Sequence, residues 1–318
     1  MIRVAVIGCG GRGRGELENL SQFDDVELAA VCDPVAEARD RAADAHGIKR
    51  RHESIEEMLD AGGIDAAWVT TPAHLNAPAA LPCLEAGVHT LLEKPPGMHV
   101  EETRRLRDAA KASGAKGMVG WQRRFDPMVV EARRAILERG PIVQLVGEFH
   151  KSMAGFERGE RGERFPKIVM ERMLMESPIH AIDLVRSLAG SDVAEVHGIV
   201  KRRFSKYNDV HAALVLFENG CVAHLSANYT TDARLERYEI HGREISAYLE
   251  GIRTGKLVCD GQVRELTKDD SETQRDKDRH FLDCIRDGRP VGLPGADLDE
   301  AVKTMELAEA ILAGLRPD

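Results

Sequence analysis

Apolar residues in the first third of the chain come in short, β-branched runs separated by amphipathic stretches. Residues 2–8 (IRVAVIG), 26–32 (VELAAVC), 65–71 (DAAWVTT), 88–93 (VHTLLE) and 115–121 (AKGMVGW) read as buried strands. Helical patterns lie between them at 12–22, 34–46, 76–86 and 101–112, and Gly47, Gly87 and Gly114 supply stops. Pro82 lies in the interior of the third of these helices, where it disfavours regular geometry. Ser54-Ile55-Glu56-Glu57 is a capping box that opens a short helix to about residue 59. Strands and helices alternating in this way predict a parallel sheet with helices on both faces.

The pattern changes after residue 122. Asp126-Pro127 starts a helix that runs to residue 139, and 142–150 reads as a strand. Residues 151–170 are charged and broken by glycines, a stretch more typical of a lid or an arm to another subunit than of a plain loop. A helix follows at 177–189, and then strand-like runs at 193–203, 210–217, 221–229, 234–241 and 245–250. Glu218-Asn219-Gly220 marks a hairpin between two of them. Helices at 273–287 and 297–313 close the chain. The predicted fold class is therefore α/β. A doubly wound Rossmann-type domain occupies 1–122. An α+β domain with a largely antiparallel open sheet occupies 123–318, its last helix free to pack back on the first domain. Val215, Phe217, Val222, Leu225 and Tyr229 fall on both phases of their strands, which suits a sheet covered on both sides.

Composition narrows the function. With 318 residues the chain has room for two cores. A net charge of −9 disfavours nucleic acid and anionic membranes as partners, and no apolar run is long enough to span a bilayer. The strand beginning at residue 2 leaves no place for a signal peptide. Six scattered cysteines without a CxxC read as reduced thiols of a cytoplasmic protein. No recognised metal-ligand spacing occurs, so no metal is expected.

Gly8-Cys9-Gly10-Gly11-Arg12-Gly13 follows the first strand and opens a helix, and Asp33 ends the second strand twenty residues later. That order builds a dinucleotide site. Gly8 allows the tight turn, Gly10 lets backbone approach a pyrophosphate, and Gly13 lets helix and strand pack closely. The helix N-terminus offers N–H groups to the phosphates. Asp33 can accept from two ribose hydroxyls and repels a 2′-phosphate, which favours NAD. Arg12 and Arg14 leave NADP open. Thr70-Thr71-Pro72, Asn76, Glu93-Lys94-Pro95 and Trp121-Gln122 fall at or near other strand ends, where ligands of such sheets bind.

Two groups carry candidate chemistry. Lys94 can donate to a substrate oxygen and steady an alkoxide as hydride leaves; its plainer reading is a solvated surface charge. His180 has the pKa range for proton transfer at neutral pH, shares a helix face with Asp183, and has Glu176 just before the helix. The plainer reading there is a capped helix with a satisfied histidine.

These residues resemble the glucose–fructose oxidoreductase, inositol dehydrogenase and rhizopine-catabolism (Gfo/Idh/MocA) family over nearly the whole chain. The resemblance rests on VIGCGGRG, VTTP, EAGVHTLLEKP, RRFDP, ESPIHAIDLVRSL, YEIHG and HFLDCIRDGRP. It implies an NAD(P)-dependent oxidoreductase that transfers hydride between the cofactor and a secondary hydroxyl of a sugar, polyol or inositol-like substrate. Lys94 lies close to the reacting carbon and His180 is the acid or base. Glu176 stands where the family often has aspartate, Pro178 where it has glycine, and Asn76 where it often has histidine, with His74 two residues earlier. Catalytic roles are thereby implied for Lys94, His180 and Glu176, and substrate contact also for Trp121, Arg124 and Asp183. Arg124 reads equally well as a salt-bridge partner. The resemblance also implies a homodimer or homotetramer built on the open sheet. Two other functions stay open: glycoside cleavage through transient oxidation, and a non-catalytic nucleotide-responsive binding protein.

Overall fold

The computed structural model describes residues 1–157, 165–251, 253–267 and 272–316. Its chain forms two compact units. One comprises Met1–Gly120 and Gln274–Val302, the other Trp121–Thr273 and Lys303–Asp318.

The first unit alternates β1 (Ile2–Ile7), α1 (Gly11–Leu20), β2 (Val26–Cys32), α2 (Ala36–His46), β3 (Arg50–His52), α3 (Ile55–Asp60), β4 (Ala66–Val69), α4 (Asn76–Glu85), β5 (His89–Leu92), α5 (Val100–Ser113) and β6 (Gly117–Val119). All its strands pair in parallel, in the order β3-β2-β1-β4-β5-β6. The predicted stops hold: Gly47 and Gly114 end their helices with φ of 67° and 77°. Pro82 sits inside α4 without breaking it.

The boundary at residue 122 leaves 274–302 with the second part of the sequence, yet that segment packs into the first core. Phe281, Leu282, Cys284 and Val291 join Val4, Val6, Leu17 and Trp68 in one buried cluster. Much of this is α10 (Glu272–Arg286), whose Phe281 ring meets Trp68 edge-on at 5.6 Å. Just before α11 (Leu298–Leu312), the chain runs beside β6: Val119 N–H donates to the Ala296 carbonyl at 3.0 Å.

The second unit contains α6 (Pro127–Leu137), β7 (Gln144–Ser152), α7 (Ala154–Glu157), α8 (Lys167–Glu171) and α9 (Ile179–Ala189). These are followed by β8 (Val193–Lys201), β9 (Val210–Phe217), β10 (Val222–Asn228), β11 (Thr230–Gly242), β12 (Ile245–Glu250), β13 (Thr254–Cys259) and β14 (Gln262–Leu266). The sheet order is β14-β13-β12-β11-β7-β10-β9-β8, antiparallel throughout except for β10 against β7. Gly147 on β7 lets α9 approach, since a Cβ there would come within 2.8 Å of Val185. The expected lid or arm at 151–170 falls partly outside the described residues.

Expectation and structure differ on the sheet's two faces. Val215, Phe217, Leu225 and Tyr229 are all buried, so they occupy the helix-covered side. The outward side carries Leu214 and Leu216, 44% and 38% exposed, with half-buried Val222 opposite Leu216.

Candidate functional site

In the first unit the glycine turn has the shape its spacing predicts. Gly8 has φ +92°, and a Cβ on it would lie 3.0 Å from the Thr70 backbone. A Cβ on Gly13 would lie 1.9 Å from the Gly8 carbonyl oxygen, so only glycine permits this contact between helix and strand. At Gly10 and Gly11 the same construction meets no atom within 4 Å. That open side faces the start of α1, where N–H groups are unused by the helix, and it suits a pyrophosphate.

Asp33 ends β2 beside this turn. Its Oδ2 accepts from the Cys9 N–H at 2.7 Å and its Oδ1 from the Val35 N–H at 2.8 Å, which fixes the carboxylate at the lip of the crevice. Thr70 donates to the carbonyls of Ile7 and Gly8 and so ties β4 to the turn. Thr71 donates to Asn76 Oδ1 at 2.9 Å. Pro72 is exposed at the end of the same segment.

Lys94 lies one residue beyond Glu93 at the end of β5 and is half-buried. Asn76, fully buried, donates from Nδ2 to the carbonyls of Glu93 and Pro95, both at 2.9 Å. The amide thus grips the chain on either side of the lysine. Sequence reasoning placed Asn76 as a cofactor contact; in the structure it supports the Lys94 turn.

Arg12 also departs from expectation. Its Nε donates to Glu93 Oε1 at 2.6 Å, and it lies 3.5 Å from Glu16. Burial works against its charge, but Glu93 and Glu16 outweigh that and hold the guanidinium above its ordinary pKa. Behind it, Lys277 Nζ lies 3.0 Å from both Glu16 and Asp278, and Trp68 Nε1 donates to Asp278 at 2.9 Å. Burial raises the Asp278 carboxyl to about 8, although Lys277 pulls the other way. Sequence reasoning missed Glu16, Lys277 and Asp278, because charged residues on helices look like solvated faces. It also missed Arg39, whose Nη1 donates to the Asp33 carbonyl at 2.8 Å. Val35 and Leu75, 58% and 43% exposed, are apolar residues left open just past the ends of β2 and β4.

The second unit holds the remaining candidates. His180 is buried in the first turn of α9. Glu176, just before it, accepts from Ser177 Oγ and lies 3.4 Å from Lys151 Nζ, a cation on β7 that sequence reasoning did not single out. Arg124 clasps Asp183 through Nε and Nη2 at 2.8 and 2.6 Å, and Thr304 Oγ1 donates to the same carboxylate at 3.1 Å. The salt-bridge alternative for Arg124 is the arrangement observed, and both Asp183 oxygens are used in it. Trp121 is fully buried with the Arg124 guanidinium 5.6 Å from its ring centroid, and Gln122 begins a short 3₁₀ turn. Among the described residues no three His, Cys, Asp or Glu side chains are grouped to hold a metal, and no helix is long and apolar enough to cross a membrane.

Residues 2–121 match the GFO_IDH_MocA model, described as an oxidoreductase family with an NAD-binding Rossmann fold, and residues 131–248 match the GFO/IDH/MocA C-terminal domain. The chain is 27% identical over 310 residues to scyllo-inositol 2-dehydrogenase (NAD(+)) of Bacillus subtilis, covering 91% of this chain and 87% of that protein. It is 25% identical over 318 residues to myo-inositol 2-dehydrogenase of Thermotoga maritima, covering 93% and 92%. The fold is similar to that of levoglucosan dehydrogenase in complex with NADH and levoglucosan, with TM-score 0.87, 21% identity, and 98% and 96% of the two chains covered.

Proposed function

The chain belongs to the GFO/IDH/MocA family of oxidoreductases, and from that premise we propose that it is an NAD-dependent dehydrogenase acting on a secondary hydroxyl of a sugar, polyol or inositol-like substrate. The observation that carries this reading is the Lys94 turn, gripped by Asn76 within the same strand-end crevice as the glycine turn. The inositol dehydrogenases among its relatives support the substrate class.

Gly8, Gly10, Gly11 and Gly13, with the N–H groups at the start of α1, hold the pyrophosphate, while Asp33 accepts from the ribose hydroxyls. Val35 and Leu75 offer apolar surface to the adenine. Thr70, Thr71 and Pro72 line the cofactor site. When bound, NAD supplies the hydride acceptor. Lys94 donates to the substrate oxygen and steadies its growing negative charge. His180 takes the hydroxyl proton, and Glu176 binds a neighbouring hydroxyl. Arg124 and Asp183 support the helix that carries His180.

A screen for NAD reduction over sugars, polyols, inositols and sugar acids tests the reading. At least one should give NADH, and Lys94→Met should lower that turnover by roughly a thousandfold with NADH binding kept. Glycoside cleavage without net NADH would instead support the transient-oxidation alternative.

The same reading places the protein in the cytoplasm, supported by six unpaired cysteines. It also makes it a homodimer or homotetramer through the outward sheet face, supported by exposed Leu214 and Leu216. A monomer in light scattering at micromolar concentration would remove the oligomer.

A further inference from the structure

We propose that Arg12 is a positioning residue that fixes the turn at residues 93–95 against the glycine turn, so that Lys94 and the phosphate cradle are set as one piece. The inference rests on the dehydrogenase reading above.

Strands β1, β4 and β5 lie side by side. A side chain that reaches from the turn after β1 to the turn after β5 must cross the carboxyl end of β4. Arg12 does this: Nε donates to Glu93 Oε1 at 2.6 Å, and Nη2 lies 2.5 Å from the same oxygen. Residue 93 is therefore held twice. Its backbone is fixed from β4 and α4, where its N–H donates to Val69 at 2.8 Å and its carbonyl accepts from Asn76. Its carboxylate is fixed from α1. Lys94 is the next residue, so any swing of Glu93 carries the lysine with it.

The brace has its own backing. Glu16 lies one helical turn after Arg12 and is 3.5 Å from its Nε. Lys277 and Gln274 of α10 both reach Glu16 Oε1, at 3.0 and 2.6 Å. Asp278 is tied to Lys277 and to Trp68 of β4. The contacts thus close a ring that starts and ends at the strands flanking the crevice. The turn itself has no need of a charge at position 12, because its geometry is met by the glycines. Burying Glu16 and Lys277 is unfavourable unless each is paired, and their pairing holds Glu16 in place behind Arg12.

The test uses the full-length protein with Arg12→Met, Arg12→Lys, Glu93→Gln and the double variant Arg12→Met/Glu93→Gln. Misplacing a reacting group by about 1 Å can cost roughly a hundredfold in rate, so Arg12→Met should lower kcat at least roughly tenfold, with the Kd for NADH changed less than about threefold. Glu93→Gln should do the same. The double variant should be no worse than Arg12→Met alone, because both changes act on one contact. Arg12→Lys, which keeps a cation, should recover part of the rate. Amide exchange at residues 93 and 94 should quicken in Arg12→Met.

A large rise in the NADH Kd with kcat unchanged would make Arg12 a direct cofactor contact and overturn the proposal. Multiplying losses in the double variant would also overturn it. If Arg12→Met does not fold, the near-isosteric Glu93→Gln, which takes the negative charge out of the same contact, decides. NADH titration and amide exchange need no substrate. A wild-type protein that oxidised none of the screened sugars or polyols would defeat the dehydrogenase reading, while these two measurements still ruled on Arg12.

Discussion

Each unit buries ion pairs, but they are built differently. In the second unit Arg124 and Asp183 meet through two parallel bonds, with side chains 1% and 0% exposed and Thr304 completing the carboxylate. Nearby, Arg123 clasps Glu236, which also accepts from Tyr238 and Arg234, and these partners outweigh burial to hold the Glu236 carboxyl below its ordinary pKa. The Arg124–Asp183 pair is sealed, and the Glu236 cluster reaches solvent through Arg234. In the first unit the ladder from Asp278 to Arg12 runs from a fully buried end to a guanidinium still 36% exposed, at the mouth of the candidate cofactor crevice. Sealed pairs fasten a core. A ladder that surfaces beside a ligand site can pass the ligand's demands into the core.

The comparison breaks most directly at Arg124. Arg124→Met strands the Asp183 carboxylate in the core and should cost about 3–5 kcal/mol of stability, measured by chemical denaturation. Arg124→Lys should rescue little, since an ammonium cannot make the two-pronged contact. A loss below about 1 kcal/mol would mean that the pair is not a fastening.

The next largest effect is one of pH, and its sign differs between the units. Asp278, raised to about 8 mainly by burial, keeps its proton in the folded chain after the unfolded chain has lost it. Its contribution to stability is present below the ordinary carboxyl range and lost as pH climbs towards 8. His211 in the second unit is pushed down to about 4 by burial. The unfolded chain then binds the proton more readily, so its contribution is present above about 6.5 and lost as pH falls towards 4. Asp278→Asn should flatten the alkaline limb of the melting temperature against pH, and His211→Gln the acid limb. Unchanged limbs would show that neither group sets them.

The smallest effect sharpens the edge of the crevice. Asp33→Ser should shift the NAD-to-NADP preference towards NADP by roughly tenfold in kcat/KM, a change of about 1.4 kcal/mol. Arg39, whose Nη1 donates to the residue 33 carbonyl, is the cation placed to receive the added phosphate, whereas Arg12 is engaged by Glu93. A double variant Asp33→Ser/Arg39→Ala that kept the shift would exclude Arg39.

Legibility in the sequence followed the range of the interactions. The β1–α1–β2 segment was readable because the glycine turn, the helix start and Asp33 are set by neighbours in sequence. Strand β3 (Arg-Arg-His) was not, because it lies at a sheet edge with only one buried residue. Strands β13 and β14 were missed for a similar reason; β14 buries only Leu266. The amphipathic pattern of α10 announced a helix but could not say which core its apolar face would join. Arg12 and Glu93 stood out as residues near the cofactor, while their pairing across 81 positions left no mark in the sequence.

The return of residues 274–302 to the first unit bears on how this chain is made. The opening 120 residues emerge from the ribosome without the helix that seats the Trp68 indole N–H and neutralises Glu16. The whole second sheet is therefore made before the nucleotide-binding unit can reach its final packing, and until then that unit depends on whatever shields its unfinished side.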